Sequence, residues 1–216
     1  MRIHARHLPV QRTLPDPVLA ERALALLLLG IAAVPAVLTA LLVWLAVGRP
    51  ILFRQTRSGK FGRPFTITKF RTMHDYRDDN GELLPDTLRQ TRLTRFIRRK
   101  RLDEIPQLLA IVTGDMRFIG PRPLGPDVIA SMGHLCTARG RVSPGLTGWA
   151  QVNGNARLSD MDKIALDLWY IDHCHARLNA RILARTVVML TRGERICPQA
   201  IETARRHLAS KSEQAS

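Results

Sequence analysis

From Ala23 to Val47 the chain runs for 25 residues without a charge, ALALLLLGIAAVPAVLTALLVWLAV. A helix rises ~1.5 Å per residue and ~20 apolar residues cross a bilayer core, so this run is long enough to span. It exceeds the apolar region of a signal peptide, and no small-residue cleavage site follows it, so the segment is expected to be retained. Pro35 lies mid-run, where it removes a helical hydrogen bond and favours a break. Both flanks are basic, with Arg2, Arg6, Arg12 and Arg22 before and Arg49, Arg54 and Arg57 after. The positive-inside tendency then holds both ends on one side. A straight span and a bent, re-entrant helix both stay open. A buried core helix fits less well, because the run carries no polar stripe.

Residues 51–73 alternate apolar and polar positions around a turn at Gly59–Pro64, which predicts a β-hairpin with Phe65, Ile67 and Phe70 on one side. Asp75 to Asp86 reads as a polar loop. The spacing predicts a helix over 87–100, with Leu88, Leu93, Phe96 and Ile97 as its apolar positions, and a short one over 104–113. Pro and Gly density at Phe118–Gly125 and Val142–Gly154 argues for ordered loops. A long helix, or a pair, fills Ser159–Arg192. Arg177, Arg181, Arg185 and Arg192 share one face of it, either on an anionic membrane surface or simply solvated. After Cys197 the chain turns polar and is expected to be loose, as are residues 1–17. The pattern predicts an α/β fold, mostly helical with one small hairpin.

Charge narrows the partner. With 33 Lys+Arg against 18 Asp+Glu in 216 residues, the net of +15 implies an acidic partner, nucleic acid, anionic lipid or a phosphorylated substrate, without choosing among them. Aromatics at 5% give little support to an RNA-stacking platform. Cys136, Cys174 and Cys197 are scattered, with no CxxC pair, and read as reduced thiols.

The charge is concentrated beside a carboxylate pair. Seven cations lie between Leu88 and Arg101 without an acid, and Asp103 and Glu104 follow at once, then Pro106. On these residues alone, Asp103 caps a helix and Glu104 complements its dipole. The same position suits a nucleophilic aspartate attacking phosphorus, with Glu104 holding Mg²⁺ across a diphosphate. In Gly120-Pro121-Arg122-Pro123, prolines on both sides stiffen the backbone around Arg122, which suits bidentate phosphate binding or only a rigid turn. Lys69 and Arg71 form a third cationic pair. His173-Cys174-His175 beside Asp172 invites a metal reading, but one-residue spacing does not suit a helical face and no second cluster exists.

Six blocks together make the chain recognisable: RPILFRQTRSG (49–59), FTITKFRTM (65–73), LDEIPQL (102–108), GDM (114–116), GPRP (120–123) and PGLTGWAQVNG (144–154). In these the chain, over about residues 17–195, resembles the bacterial sugar transferases that act on polyprenyl phosphate, the monotopic phosphoglycosyl transferases in their minimal catalytic form. The resemblance implies that Asp103 attacks the sugar-bearing phosphate of a UDP-sugar, expels UMP and carries the phosphosugar as an acyl phosphate. Polyprenyl (undecaprenyl) phosphate then takes it, in the first membrane step of exopolysaccharide, O-antigen or glycan synthesis. It implies Glu104 as the Mg²⁺ ligand and Arg98 and Arg122 as phosphate contacts, with Lys69 in a matching block; Arg71, paired with Lys69 in sequence, is the further candidate substrate contact. It also implies a re-entrant helix broken at Pro35, amphipathic interfacial helices and anionic inner-membrane lipid as a partner. The catalytic domain would lie on the cytoplasmic face, with no nucleic-acid role and a homo-oligomer left open.

The layout expected is a flexible N-terminal tail at 1–17, a re-entrant membrane helix at 18–48, a catalytic domain at 49–195 and a flexible C-terminal tail at 196–216. Lys100-Arg101, Arg117, Ser143 and Asn155-Ala156 depart from the family pattern around the site. A non-catalytic membrane-surface scaffold or lipid-binding relative is the main alternative. A membrane-tethered nucleic-acid binder rests on charge alone.

Overall fold

The computed structural model describes residues 19–132 and 134–215, so the expectation for the N-terminal tail lies outside the described residues. The apolar run forms two helices, α1 (Leu19–Ile31) and α2 (Ala33–Val47), which meet at Ala32 with a bend of 58°. Pro35 sits in the first turn of α2. It has no N–H for the Ile31 carbonyl one turn back, and its ring crowds that carbonyl, so the helix breaks just ahead of it. Thr39 Oγ1 donates to the Pro35 carbonyl at 2.7 Å. Among the described residues no single helix is long and apolar enough to cross a membrane; the bent pair is, by length and composition. Ala25, Thr39 and Val43 are buried, whereas Leu24, Leu27, Ile31, Val34, Val37, Leu41 and Leu45 are exposed.

Strands β1 (Leu52–Ser58) and β2 (Pro64–Phe70) form the antiparallel hairpin that the alternation predicts, with Phe53 opposite Lys69 and Arg57 opposite Phe65. Phe65 and Ile67 share a face and pack with Ala25 of α1 and with Leu108, Ile111 and Met116. Phe70 is the exception. Three positions from Ile67, it has the opposite parity and packs with Val43 of α2 and Ile97. The hairpin is therefore wedged between the two limbs of the bent pair.

Helix α3 (Arg92–Arg99) is shorter than the 87–100 expected. Thr91 and Thr94 exchange side-chain and backbone hydrogen bonds in a reciprocal cap, which fixes the start there and leaves Leu88 exposed in the turn before it. A 3₁₀ turn over Leu102–Gln107 then leads into α4 (Leu108–Thr113). Strand β3 (Arg117–Ile119) pairs in parallel with β4 (Gly145–Thr147), with α5 (Pro126–Met132) and α6 (His134–Arg139) between them. The glycines here have a steric cause: a Cβ on Gly120 would sit 2.7 Å from the Ser143 carbonyl, and one on Gly145 2.6 Å from Gly120 Cα. The GPRP and PGLTG segments thus touch backbone to backbone.

Helices α7 (Trp149–Val152), α8 (Asp160–His173), α9 (Ala176–Arg192) and α10 (Pro198–Ala215) complete the chain. The Ser159–Arg192 stretch is thus a pair, with Ser159 and His175 accepting from Asp162 N and Leu178 N to cap the two helices. Their core gathers Trp149, Leu166, Tyr170, Leu178, Ile182 and Ala204.

Two expectations are corrected. The stretch from 196 on is not a loose tail, since α10 spans most of it and lies along α8. Ala204 is fully buried there, Arg205 grips Asp162 with two bonds at 2.7 and 3.0 Å, and His207 and Lys211 both bond Asp172. Nor is the basic face of α9 uniformly free: Arg177 and Arg181 are exposed, but Arg185 lies over the Trp149 ring and donates to Asn153 Oδ1 at 2.6 Å.

Candidate active site

The 3₁₀ turn presents Asp103 and Glu104 at the wall of a 580 Å³ cavity. Arg101 precedes the turn in a left-handed conformation, φ 56°, and supplies no side-chain cap. The cap reading of Asp103 is therefore not what the turn uses. Asp103 and Glu104 are 6% and 7% exposed, and Asp103 Oδ1 is buried with no hydrogen-bond partner.

Glu104 collects three cations on a single oxygen. Arg122 Nη2 approaches Oε1 at 2.9 Å, Arg101 Nη1 at 3.1 Å and Lys69 Nζ at 3.2 Å. Burial pushes the Glu104 pKa up, but Arg122, Lys69 and Arg101 together outweigh it and hold the group well below the usual carboxylate range. Asp103 goes the other way. Burial and the adjacent Glu104 charge raise it from 3.8 to about 6, against Lys69, Arg98 and Arg101. Two neighbouring carboxylates are thus pushed apart, one locked ionised and one poised near neutrality, a separation common where acids have distinct roles.

Of the residues singled out in sequence, Lys69, Arg98 and Arg122 line this cavity with the carboxylates. Arg71 does not. Its guanidinium donates to the carbonyls of Pro50 (2.7 Å), Arg49 (2.8 Å) and Val47 (3.1 Å), tying the end of α2 to the hairpin. Adjacent strand residues point to opposite faces, but Lys69 and Arg71 are two apart, so spacing alone did not separate them. The end of β2 at Phe70 did, by letting Arg71 turn back. Arg117 also lies elsewhere, paired with Glu21 of α1 at 2.5 Å.

Several contributors escaped the sequence reading. Arg57 lines the cavity, and burial followed by the Arg122 charge lowers its pKa. Counting by twos across the hairpin from Lys69, through Phe53 to Arg57, would have found it on the same face. Glu194, just past α9, accepts from Arg101 at 3.0 Å and so braces the unusual arginine beside the dyad. Deepest of all, Asp167 of α8 bonds Arg139 Nε at 2.7 Å, and Arg139 donates onward to the carbonyl of Arg122. That chain holds the GPRP segment from behind.

Two carboxylates with substrate phosphates as further ligands are an ordinary Mg²⁺ donor set. The orphaned Asp103 Oδ1 and the fully ionised Glu104 fit it. Among the described residues no three His, Cys, Asp or Glu side chains converge. The His173-Cys174-His175 stretch has structural roles: His173 stacks on Trp169, 4.4 Å between centroids, and His175 caps α9.

Residues 17–193 match the family described as bacterial sugar transferase. The chain is 44% identical over 163 residues to an uncharacterized sugar transferase, EpsL, of Bacillus subtilis (strain 168), covering 76% of this chain and 81% of that one. It is 39% identical over 150 residues to a UDP-glucose:undecaprenyl-phosphate glucose-1-phosphate transferase of Xanthomonas campestris pv. campestris, covering 64% of this chain but only 31% of that one. With an exopolysaccharide production protein, PSS, of Rhizobium leguminosarum bv. phaseoli it shares 35% identity over 170 residues, 72% of this chain and 85% of the other.

Proposed function

Because the chain belongs to the bacterial sugar transferase family, we propose that it transfers a phosphosugar from a UDP-sugar to polyprenyl (undecaprenyl) phosphate, with Asp103 as nucleophile. The observation that carries this reading is the dyad's geometry: a buried carboxylate with an orphaned oxygen, beside a locked glutamate, in a cavity lined by Arg57, Lys69, Arg98, Arg101 and Arg122. Relatives named as UDP-glucose and UDP-N-acetylgalactosamine transferases onto undecaprenyl phosphate support both substrate classes and leave the sugar open.

In the first step an Asp103 oxygen attacks the sugar-bearing phosphorus of the UDP-sugar. The bond from that phosphorus to the bridging oxygen breaks, and UMP leaves with the electron pair. In the second, an oxygen of polyprenyl phosphate attacks the same phosphorus, and the Asp103 carboxylate is released. The cations offset the charge that accumulates on the phosphoryl oxygens and are preset by the fold, so little reorganises at the moment of transfer. Glu104 serves as anchor rather than acid: ionised throughout, it fixes Lys69, Arg101 and Arg122 around Asp103. Bound Mg²⁺, held by Glu104 and substrate phosphates, would supply further charge neutralisation.

The exposed apolar surface of the bent pair supports membrane residence, since a contiguous patch of this kind is unusual in water. Arg22, Arg49 and Arg54 at its ends support a re-entrant course with the site on the cytoplasmic face.

The test uses the full chain in lipid nanodiscs with a panel of UDP-sugars. UMP release and a mass shift of one phosphosugar on Asp103 are expected with at least one donor, and Asp103→Asn removes both. An Asp103→Asn protein that still turns over would overturn the nucleophile assignment.

A further inference from the structure

Behind the dyad lies a second cavity of 310 Å³, and its character is the opposite of the first. Its wall is mostly apolar, built from Leu28 of α1, Ile105 of the turn, Leu108 of α4, Phe118, Leu146 and Leu183. Yet Arg101, Glu104, Arg122 and Gln151 line both cavities. The two spaces, one cationic and one greasy, thus meet at Glu104, next to Asp103 in the first cavity. Gln151 marks the junction with a second, independent signal. It is 3% exposed, and neither its amide nitrogen nor its amide oxygen has a hydrogen-bond partner. A buried amide left unpaired costs free energy unless a ligand supplies the missing bonds.

The apolar cavity also continues onto apolar surface. Leu183 is half exposed and Val187, one turn further along α9, is more so; on the facing α1, Leu24 and Leu27 are exposed beside Leu28. These exposed apolar side chains flank the cavity on the same two helices, α1 and α9, that line it.

We propose that this cavity seats the first isoprene units of the prenyl phosphate acceptor, with the Gln151 amide donating to its phosphate at the junction. The proposal rests on the acceptor class inferred above. A ligand with a charged head and a hydrocarbon tail is the one chemistry that both cavities fit together: the head among Arg101, Arg122 and Gln151, the tail along Leu28, Phe118 and Leu183. It also explains how one nucleophile serves two substrates in turn. The donor enters through the cationic cavity and needs no tail space. The acceptor enters from the apolar side, so the phosphosugar on Asp103 meets it without the cationic cavity having to admit a lipid.

Because the two steps are separable, the test reads them separately. Wild type, Leu183→Trp and Leu83→Trp are compared in nanodiscs. The donor half-reaction is followed as UMP release without acceptor, and the acceptor half-reaction as discharge of the phosphosugar adduct by polyprenyl phosphate. Leu183→Trp fills the cavity from a half-exposed position. It is expected to raise the acceptor concentration for half-maximal discharge about tenfold, the equivalent of losing one or two buried methylenes, while UMP release continues. Leu83→Trp, in an exposed loop away from both cavities, leaves both half-reactions as in wild type.

Unchanged acceptor kinetics in Leu183→Trp would overturn the proposal; so would loss of UMP release in that variant, which would assign the cavity to the donor. If the cavity holds the acyl chain of a bilayer phospholipid, Leu183→Trp alters lipid-dependent stability but not acceptor kinetics, and the proposal fails. A wild-type protein that releases no UMP from any donor sinks the reading beneath it instead, and is told apart by that result.

Discussion

Replacing Asp103 with asparagine should make this protein more stable, and only above a particular pH. Burial and Glu104 raise the Asp103 pKa from 3.8 to about 6. The folded state therefore binds the Asp103 proton more tightly than the unfolded chain does. Stability from this group is fully present below the unfolded value and is lost as pH rises through the folded one. Each pKa unit corresponds to ~1.4 kcal/mol, so the ionised carboxylate costs about 3 kcal/mol at pH 8, as an upper bound. Asparagine carries no charge to desolvate and is close to isosteric, so the variant escapes most of that cost. For a chain of this size each kcal/mol moves Tm by ~2–4 °C. Thermal unfolding in detergent with a chelator present, so that no divalent ion neutralises the carboxylate, should give superimposable curves for the two proteins near pH 4. At pH 8 Asp103→Asn should melt several degrees higher. A Tm difference that does not change between pH 4 and 8 would refute the argument that Asp103 is held against its charge. The same ionisation should govern UMP release, which is expected to fall as pH drops through about 6.

Arg71→Ala is expected to cost about 3 kcal/mol in denaturant unfolding, because three carbonyls at the α2–hairpin junction lose a charged donor, while turnover per folded molecule stays near wild type. Arg122→Ala should show the reverse, with turnover lost and stability little changed or improved by removing one of the crowded cations. Asp167→Ala leaves the Arg139 guanidinium buried and unpaired and should cost about 3–5 kcal/mol. Pairing it with Arg139→Met should recover much of the stability but not the UMP-release rate, since Arg139 also holds the Arg122 carbonyl.

Features governed by short-range rules were legible in the sequence. Alternation around Gly59–Pro64 located the hairpin, and Pro35 marked the break to within a turn, because a missing N–H acts on the carbonyl four residues back. The carboxylate pair and its cations were visible as composition. What was not legible was which cations face inward. Arg71 and Arg117 look no different in sequence from Lys69 and Arg122, yet they bind backbone and Glu21 because of where a strand ends and a helix lies. Asp167 and Arg139 are 28 residues apart, and only the packing of α6 on α8 joins them. Helix α10 was missed because polar composition masked a sparse stripe. Ala200, Ala204 and Leu208, at four-residue spacing, were the available signal, and all three meet the α8 core.

The wedge made by β2 between the two limbs of the bent helix limits where this chain can change length. One face of the strand meets α1 through Ile67 and the other meets α2 through Phe70. Inserting or deleting a single residue there would exchange the faces, turning Ile67 and Lys69 away from α1 and the dyad together. The same holds for the turn that carries Asp103, which is packed against that strand. Between them, residues Asp75 to Leu83 are exposed throughout and close on themselves through Asp78, whose carboxylate accepts from Asn80 and Glu82. Insertions, epitope tags or fluorophores belong in that loop, where added residues cost only loop entropy. A scan of single-residue insertions should find a window of tolerance there, bounded by β2 and the Asp103 turn.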